Sequence, residues 1–225
     1  MCIRDRPFIA APSGLAIGGG FEVVLHCDYN VAHTNVVLGL VESLVGLIPA
    51  GGGCKEMLWR WLQTPEGKEN SEHASMKVFD LIGYAITATS PNEALPNQFF
   101  LEKDKVVINR DRQLSTAIDL LNNIEGGYEK PSQPKFNLGG SAVRDKMFEK
   151  LEALYNENKI LDHGLEVGKQ IAFVLSGGNT NIDNELSEDD LYNLELEAFM
   201  RLIQMPKTQE RIKPVSYTHL TLPTR

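Results

Sequence analysis

Three consecutive glycines, Gly18-Gly19-Gly20, end the small-residue run Pro12-Ser13-Gly14-Leu15-Ala16-Ile17 and open the helical pattern Phe21-Glu22-Val23-Val24-Leu25. This junction constrains the chain more than any other stretch. Successive glycines let main-chain N–H groups approach a ligand closely, and a helix start favours an oxygen that gains negative charge. Glu22 falls in the first turn of that helix. A second acid, Glu42, lies on the apolar run from Val36 to Ile48, which leads to a second triple glycine, Gly51-Gly52-Gly53. An oxyanion site flanked by two carboxylates suits reversible proton and water chemistry beside a carbonyl.

Each part has an ordinary reading when taken alone. Gly18 to Gly20 is also what a tight strand–helix turn needs. Glu22 is also an acid well placed on a helix dipole, worth less than ~1 kcal/mol, and Glu42 could be a solvated loop acid. Gly51 to Gly53 precede a helix with no lysine at the P-loop position, so they read as a helix start. His26, His33, His73 and His163 share no ligand spacing; they read as solvated or capping residues, and no metal site is expected. Trp59 and Trp61 cannot share one helix face. No GxGxxG follows a strand, so no dinucleotide site is expected within this sequence.

Taken together, the parts carry a resemblance. Gly14-Leu15-Ala16-Ile17-Gly18-Gly19-Gly20-Phe21-Glu22, Cys27-Asp28, Gly39-Leu40-Val41-Glu42 and Gly46-Leu47-Ile48-Pro49-Ala50-Gly51-Gly52 resemble the crotonase (enoyl-CoA hydratase/isomerase) superfamily in order and spacing. The resemblance implies an α/β fold, a partial crotonase-type ββα spiral, followed by an all-helical C-terminal extension. It implies an acyl-CoA substrate, an oxyanion-hole N–H from Gly19, and Glu22 and Glu42 as the catalytic acids. Ala50 would help to position the water, and it stands where the family usually has glycine; alanine tolerates a left-handed turn poorly. Both acids together fit a hydratase. An isomerase would need Glu42 alone, and a non-catalytic scaffold would need neither.

The later sequence extends the resemblance. A crotonase block, a linker, acidic helices and Pro206-Lys207-Thr208-Gln209-Glu210-Arg211-Ile212 resemble the C-terminal part of bacterial fusion enzymes that carry a 3-hydroxyacyl-CoA dehydrogenase domain upstream. Such a parent would bind NAD in that upstream domain, would act in fatty-acid β-oxidation and would form a homo-oligomer. On this reading the sequence by itself holds half a site and is inactive alone.

The two ends read differently. Residues 1–6 can be written back as codons whose reverse complement encodes Val215-Ser216-Tyr217-Thr218-His219. Both ends therefore read as translated sequencing adapter, exposed or irregular, and are left out of fold reasoning. The remainder divides into a crotonase-like block at 7–125, a Gly/Pro-rich linker at 126–140 and a helical extension at 141–214. The net charge of −8 argues against a nucleic-acid partner. Outside the ends only Cys27 and Cys54 remain, and no long uncharged apolar run occurs. A reducing, cytoplasmic setting without a membrane span is expected.

Periodicity supplies the elements. Residues 8–17 read as one buried strand, 22–32 as a helix and 36–40 as a strand. Residues 55–62 read as a helix, 62–74 as a loop and 76–87 as a helix. Ser90-Pro91-Asn92-Glu93 opens a short helix, 105–108 is a strand and 114–124 a helix. Beyond the linker, Val143, Met147, Leu151 and Leu154 mark one helix, and Val167, Ile171 and Val174 another. Ser187 to Asp190 is an N-cap for a third, through Leu191, Leu194, Ala198 and Leu202.

Overall fold

The structure, a computed structural model, describes residues 6–179 and 185–220; for Glu125 and for 216–220 it describes the backbone only. The chain opens with β1 (Ile9–Ala10), β2 (Leu15–Ile17) and α1 (Gly19–Leu25), then repeats the same order. The second turn is β3 (Tyr29–His33), β4 (Val37–Gly39), a 3₁₀ turn at Glu42–Val45, and α2 (Gly53–Leu62). β1 pairs in parallel with β3 (Ile9 opposite Tyr29), and β2 in parallel with β4 (Leu15 opposite Val37, Ile17 opposite Gly39). Each ββα unit thus adds one strand to each of two sheets, which is the geometry of a spiral.

Four sequence expectations are corrected here, one of them the helix expected over 76–87, which ends at Gly83 before Ala85 turns left-handed and Thr87–Ala88 becomes a strand. The strand expected over 8–17 is two strands, broken at Pro12-Ser13-Gly14 where Gly14 takes φ 68°, and Leu15 is 75% exposed rather than buried. Proline removes a ladder donor, and only glycine takes this φ readily. The helix expected to reach residue 32 ends at Leu25. The amide of Asp28 donates to Phe8 O (2.9 Å) while its carboxylate accepts from Phe8 N (2.8 Å), and Tyr29–His33 enters the sheet as β3. Residues 62–74 are not a loop. They hold α3 (Pro65–Glu69), with Pro65 in its first turn and the Thr64 side chain capping Gly67 N, and the start of α4 (Ser71–Gly83), capped by Asn70.

β5 (Thr87–Ala88) closes antiparallel on β4, α5 (Pro91–Ala94) follows its Ser90 cap, and β6 (Lys105–Val107) joins β3 in parallel. α6 (Gln113–Ile124) covers that sheet: the Gln113 side-chain amide donates to Pro12 O and Val31 O at 2.8 Å each.

The next stretch is tied into the molecule. β7 (Lys135–Phe136) precedes α7 (Gly140–Asn156) and α8 (Asp162–Leu175), and pairs antiparallel with β8 (Leu186–Ser187). Phe136 is fully buried, with the Trp59 ring meeting it edge-on at 6.1 Å. α9 (Glu188–Ile203) starts with a reciprocal capping box between Ser187 and Asp190. α10 (Pro206–Leu220) runs through Pro214 as a helix, so the backbone of 215–220 is not irregular, although Val215 is 42% exposed. Residues 1–5 and 221–225 lie outside the described residues.

One apolar core joins the two halves. Phe21, Leu40, Ile48, Met57 and Leu58 from the spiral share a cluster with Phe136, Met147, Ile171, Leu191 and Leu202 from the later helices. Among the described residues no helix is long and apolar enough to cross a membrane.

Candidate active site

The site is built around the strand–helix turn. Gly18 takes φ 56° and ψ −132°, which swings the chain from β2 into α1, and its N–H donates to Gly39 O at 2.8 Å. The turn is therefore anchored to the sheet. Phe21 N and Glu22 N return to Gly18 O at 2.8 and 3.0 Å. The N–H groups of Gly19 and Gly20 belong to the set that a helix start leaves without an intrahelical acceptor.

Glu22 points inward from the first turn of α1 and is 9% exposed. Its Oε1 accepts two main-chain bonds, from Gly51 N at 2.8 Å and Gly53 N at 2.9 Å. A Cβ on Gly51 would stand 2.6 Å from Glu22 Oε2, so this approach requires glycine.

Glu42 is the opposite case. It opens the 3₁₀ turn after β4, and both of its carboxylate oxygens are buried without a hydrogen-bond partner among the described residues. Burial pushes its carboxyl up to about 7; the nearby main-chain N–H groups of Glu42 itself and of Val41, outside good hydrogen-bond geometry, oppose this, and the charge of Glu22 adds to it. A Cβ on Gly18 would lie 3.3 Å from Glu42 Oε1, and one on Gly19 would lie 3.9 Å from Glu22 Oε2. The two carboxylates thus bracket the Gly18–Gly19 peptide. One is held by donors; the other is unpartnered and poised near neutrality. Such a pair can divide proton acceptance and proton donation between its members. A cleft of about 480 Å³ opens against Gly19, Glu22, Gly51 and His26.

Ala50 is half-buried beside this loop and does not take a positive φ; the left-handed positions are Gly46 (82°) and Gly52 (93°). The expected backbone difficulty at Ala50 is absent, because the turn places its left-handed residues on either side.

Several supporting residues escaped the sequence reading. Glu195 of α9 is fully buried; its Oε2 accepts from Gly52 N and its Oε1 from Lys55 N, both at 2.8 Å. Its position was legible in one respect. Leu191, Glu195, Ala198 and Leu202 form a single helical stripe, and an acid on an apolar stripe demands a partner. Lys55, also fully buried, donates to Glu56 and Glu188 at 2.5 Å each and lies 4.9 Å from the Tyr192 ring centre. Burial disfavours its charge, but the two carboxylates outweigh this and hold the ammonium above its ordinary range. His26 donates from Nδ1 to Glu22 O (2.7 Å) and meets the Tyr192 hydroxyl through Nε2 (3.1 Å). His163 is not solvated: its Nε2 bonds Thr208 Oγ1 (2.9 Å), which donates to Gly46 O (3.1 Å) in the turn that ends the Glu42 segment.

Comparison with known proteins bears on the family and the fold. Residues 3–69 match the family described as enoyl-CoA hydratase/isomerase. The segment that carries both glutamates belongs to the crotonase superfamily. A Bacillus subtilis protein named "Probable 3-hydroxyacyl-CoA dehydrogenase" is 32% identical over 92% of this chain and 26% of its own length. The alignment reaches well past the crotonase segment into the helical part. The mouse methylglutaconyl-CoA hydratase, mitochondrial, is 49% identical over 23% of this chain and 16% of its own. The crystal structure of carnitinyl-CoA hydratase from Mycobacterium avium superposes with a TM-score of 0.53 at 19% identity. That match covers 98% of this chain and 63% of the solved one, and shows the shared fold. The chain spans about a quarter of the length of the bacterial relative.

Proposed function

We propose that this chain supplies the two acids for hydration of a trans-2-enoyl-CoA to the 3-hydroxyacyl-CoA, a step of fatty-acid β-oxidation. The observation that carries the reading is the contrast between the two carboxylates across the Gly18–Gly19 peptide. Glu22, fixed by two amides through Oε1, directs its other oxygen to orient water and take its proton. The hydroxyl oxygen bonds to C3 of the enoyl thioester. The electron pair of the double bond moves toward the thioester oxygen, which the Gly19 N–H stabilises. Glu42, unpartnered and with its carboxyl pushed up to about 7, delivers a proton to C2. Ala50, beside the loop that holds Glu22, helps to confine the water.

The relative from Bacillus subtilis supports a larger parent, with an NAD-dependent 3-hydroxyacyl-CoA dehydrogenase domain that would oxidise the product. We place the parent in the cytoplasm as a homo-oligomer.

The test is hydration of crotonyl-CoA and of a long-chain enoyl-CoA by the full-length protein, followed as loss of the conjugated thioester absorbance. Double-bond migration without hydration would replace the reading by an isomerase. Absence of both reactions would leave a scaffold.

A further inference from the structure

The loop that holds Glu22 is held in turn from its other side. Along Gly51 to Lys55 the amides are shared between two carboxylates. Gly51 N and Gly53 N go to Glu22; Gly52 N and Lys55 N go to Glu195. Glu195 comes from α9, more than a hundred residues later in the chain, and is fully buried.

We propose that Glu195 is a positioning residue for the site, locking the Gly51–Gly53 turn so that its alternate amides fix Glu22.

This rests on the hydratase reading for its functional meaning, but its geometry stands apart from it. Gly52 sits at φ 93°, and the freedom of a glycine backbone leaves the turn able to shift unless its amides are tied. Glu195 supplies the tie. A bidentate acceptor at the start of α2 satisfies two N–H groups that the helix cannot satisfy itself. Because the two sets of bonds alternate, releasing Gly52 N frees the peptides on either side of it. Gly51 N and Gly53 N then lose their common direction toward Glu22 Oε1. Burial pushes the Glu195 carboxyl up to about 8, and the charge of Glu22 adds to this; the Gly52 and Lys55 amides and the Lys55 ammonium oppose it.

Amide hydrogen exchange and ¹H–¹⁵N spectra of the full 225-residue chain test the proposal. Glu195→Gln keeps one acceptor oxygen and sets an NH₂ against the second amide. Exchange at Gly51 and Gly53 should then accelerate by about tenfold or more, with amides of β3 and α7 unchanged. Changes confined to Gly52 and Lys55 would make Glu195 a helix cap only, and the proposal would be wrong whatever the hydration assay gives. A uniform loss of protection would likewise assign it a merely structural role.

If Glu195→Gln does not fold, the native chain serves. The groups facing Glu195 are Glu22 from α1 and Cys54 and Lys55 from α2. The Gly52 and Lys55 amide shifts should inflect near pH 8 with its ionisation, and those of Gly51 and Gly53 should share that midpoint. Gly51 and Gly53 shifts without an inflection there would overturn the coupling. Failure of hydration with this coupling intact would instead count against the hydratase reading alone.

Discussion

The spiral segment and the helical extension treat the same loop in opposite ways. From the spiral, Glu22 reaches Gly51 and Gly53 at the edge of an open cleft; from the extension, Glu195 reaches Gly52 and Lys55 in the core. A second pair repeats the contrast. Glu42 stands unpartnered beside Gly18, while His163 and Thr208 of the extension tie down Gly46 at the end of its turn. The first segment presents the two carboxylates, and the second restrains the backbone that carries them. Unpartnered or half-partnered carboxylates cost stability, and a buried frame offsets that cost.

The largest effect that would break this contrast lies in the spiral. In the full-length protein Glu22→Gln and Glu42→Gln should each slow hydration by ~10²–10⁴-fold, the usual size of a general acid–base contribution. NAD-linked oxidation of a 3-hydroxyacyl-CoA should persist in both. Normal hydration in Glu22→Gln, with double-bond migration lost in Glu42→Gln, would give the second acid the whole chemistry.

A second variant asks whether the extension is a separate body. Phe136 is buried against Trp59 in the shared core, so Phe136→Ala should destabilise the chain by about 3–5 kcal/mol. Chemical denaturation should show one transition in which both regions melt together. Two separated transitions would dissolve the frame argument.

The third effect is pH-dependent. Glu42 titrates near 7 in the folded chain against an ordinary value of 4.5. A raised carboxyl binds its proton more tightly when folded, so its contribution is complete below 4.5 and is lost as pH rises through 7. Glu42→Gln should therefore match the native chain near pH 4.5 and exceed it near pH 8 by on the order of 2 kcal/mol, after allowing for solvent screening. Thermal unfolding across that range measures it; a constant difference between the two chains would contradict the burial of an unpartnered acid.

The smallest effect belongs to the frame. Thr208→Val removes the hydroxyl between His163 and Gly46 O, and should cost about 1–2 kcal/mol, since a buried carbonyl then lacks its donor. A thermal midpoint unchanged from the native chain would show that this tie does not restrain the Glu42 turn.

Much of the site was legible in the sequence because its requirements are local. A turn that must expose amides needs Gly18 and Gly19, and a close carboxylate approach needs Gly51. Acids placed at fixed offsets from these glycines can be read directly. The elements after residue 140 were also legible from their 3.6-residue period. Less legible was the end of α1: Cys27 and Asp28 continue a helical pattern until Asp28 pairs with Phe8, twenty residues earlier. In the same way, α3 hid in a polar stretch whose only signals were Thr64-Pro65 and Asn70.

The sequence by itself determined which groups can do chemistry, because residue type and short spacing fix what a turn presents. Only the tertiary structure decided how those groups behave. Glu22 and Glu42 are both glutamates, twenty positions apart, yet one is fixed by two well-aligned amides and the other has no well-aligned donor among the described residues. That difference comes from solvent exclusion and from backbone donors brought in by distant parts of the chain. Glu195 makes the point most plainly. In the sequence it is an acid on an apolar helical stripe; in the fold it shares a single loop with Glu22, because both carboxylates need donors and Gly51 to Lys55 supply them alternately.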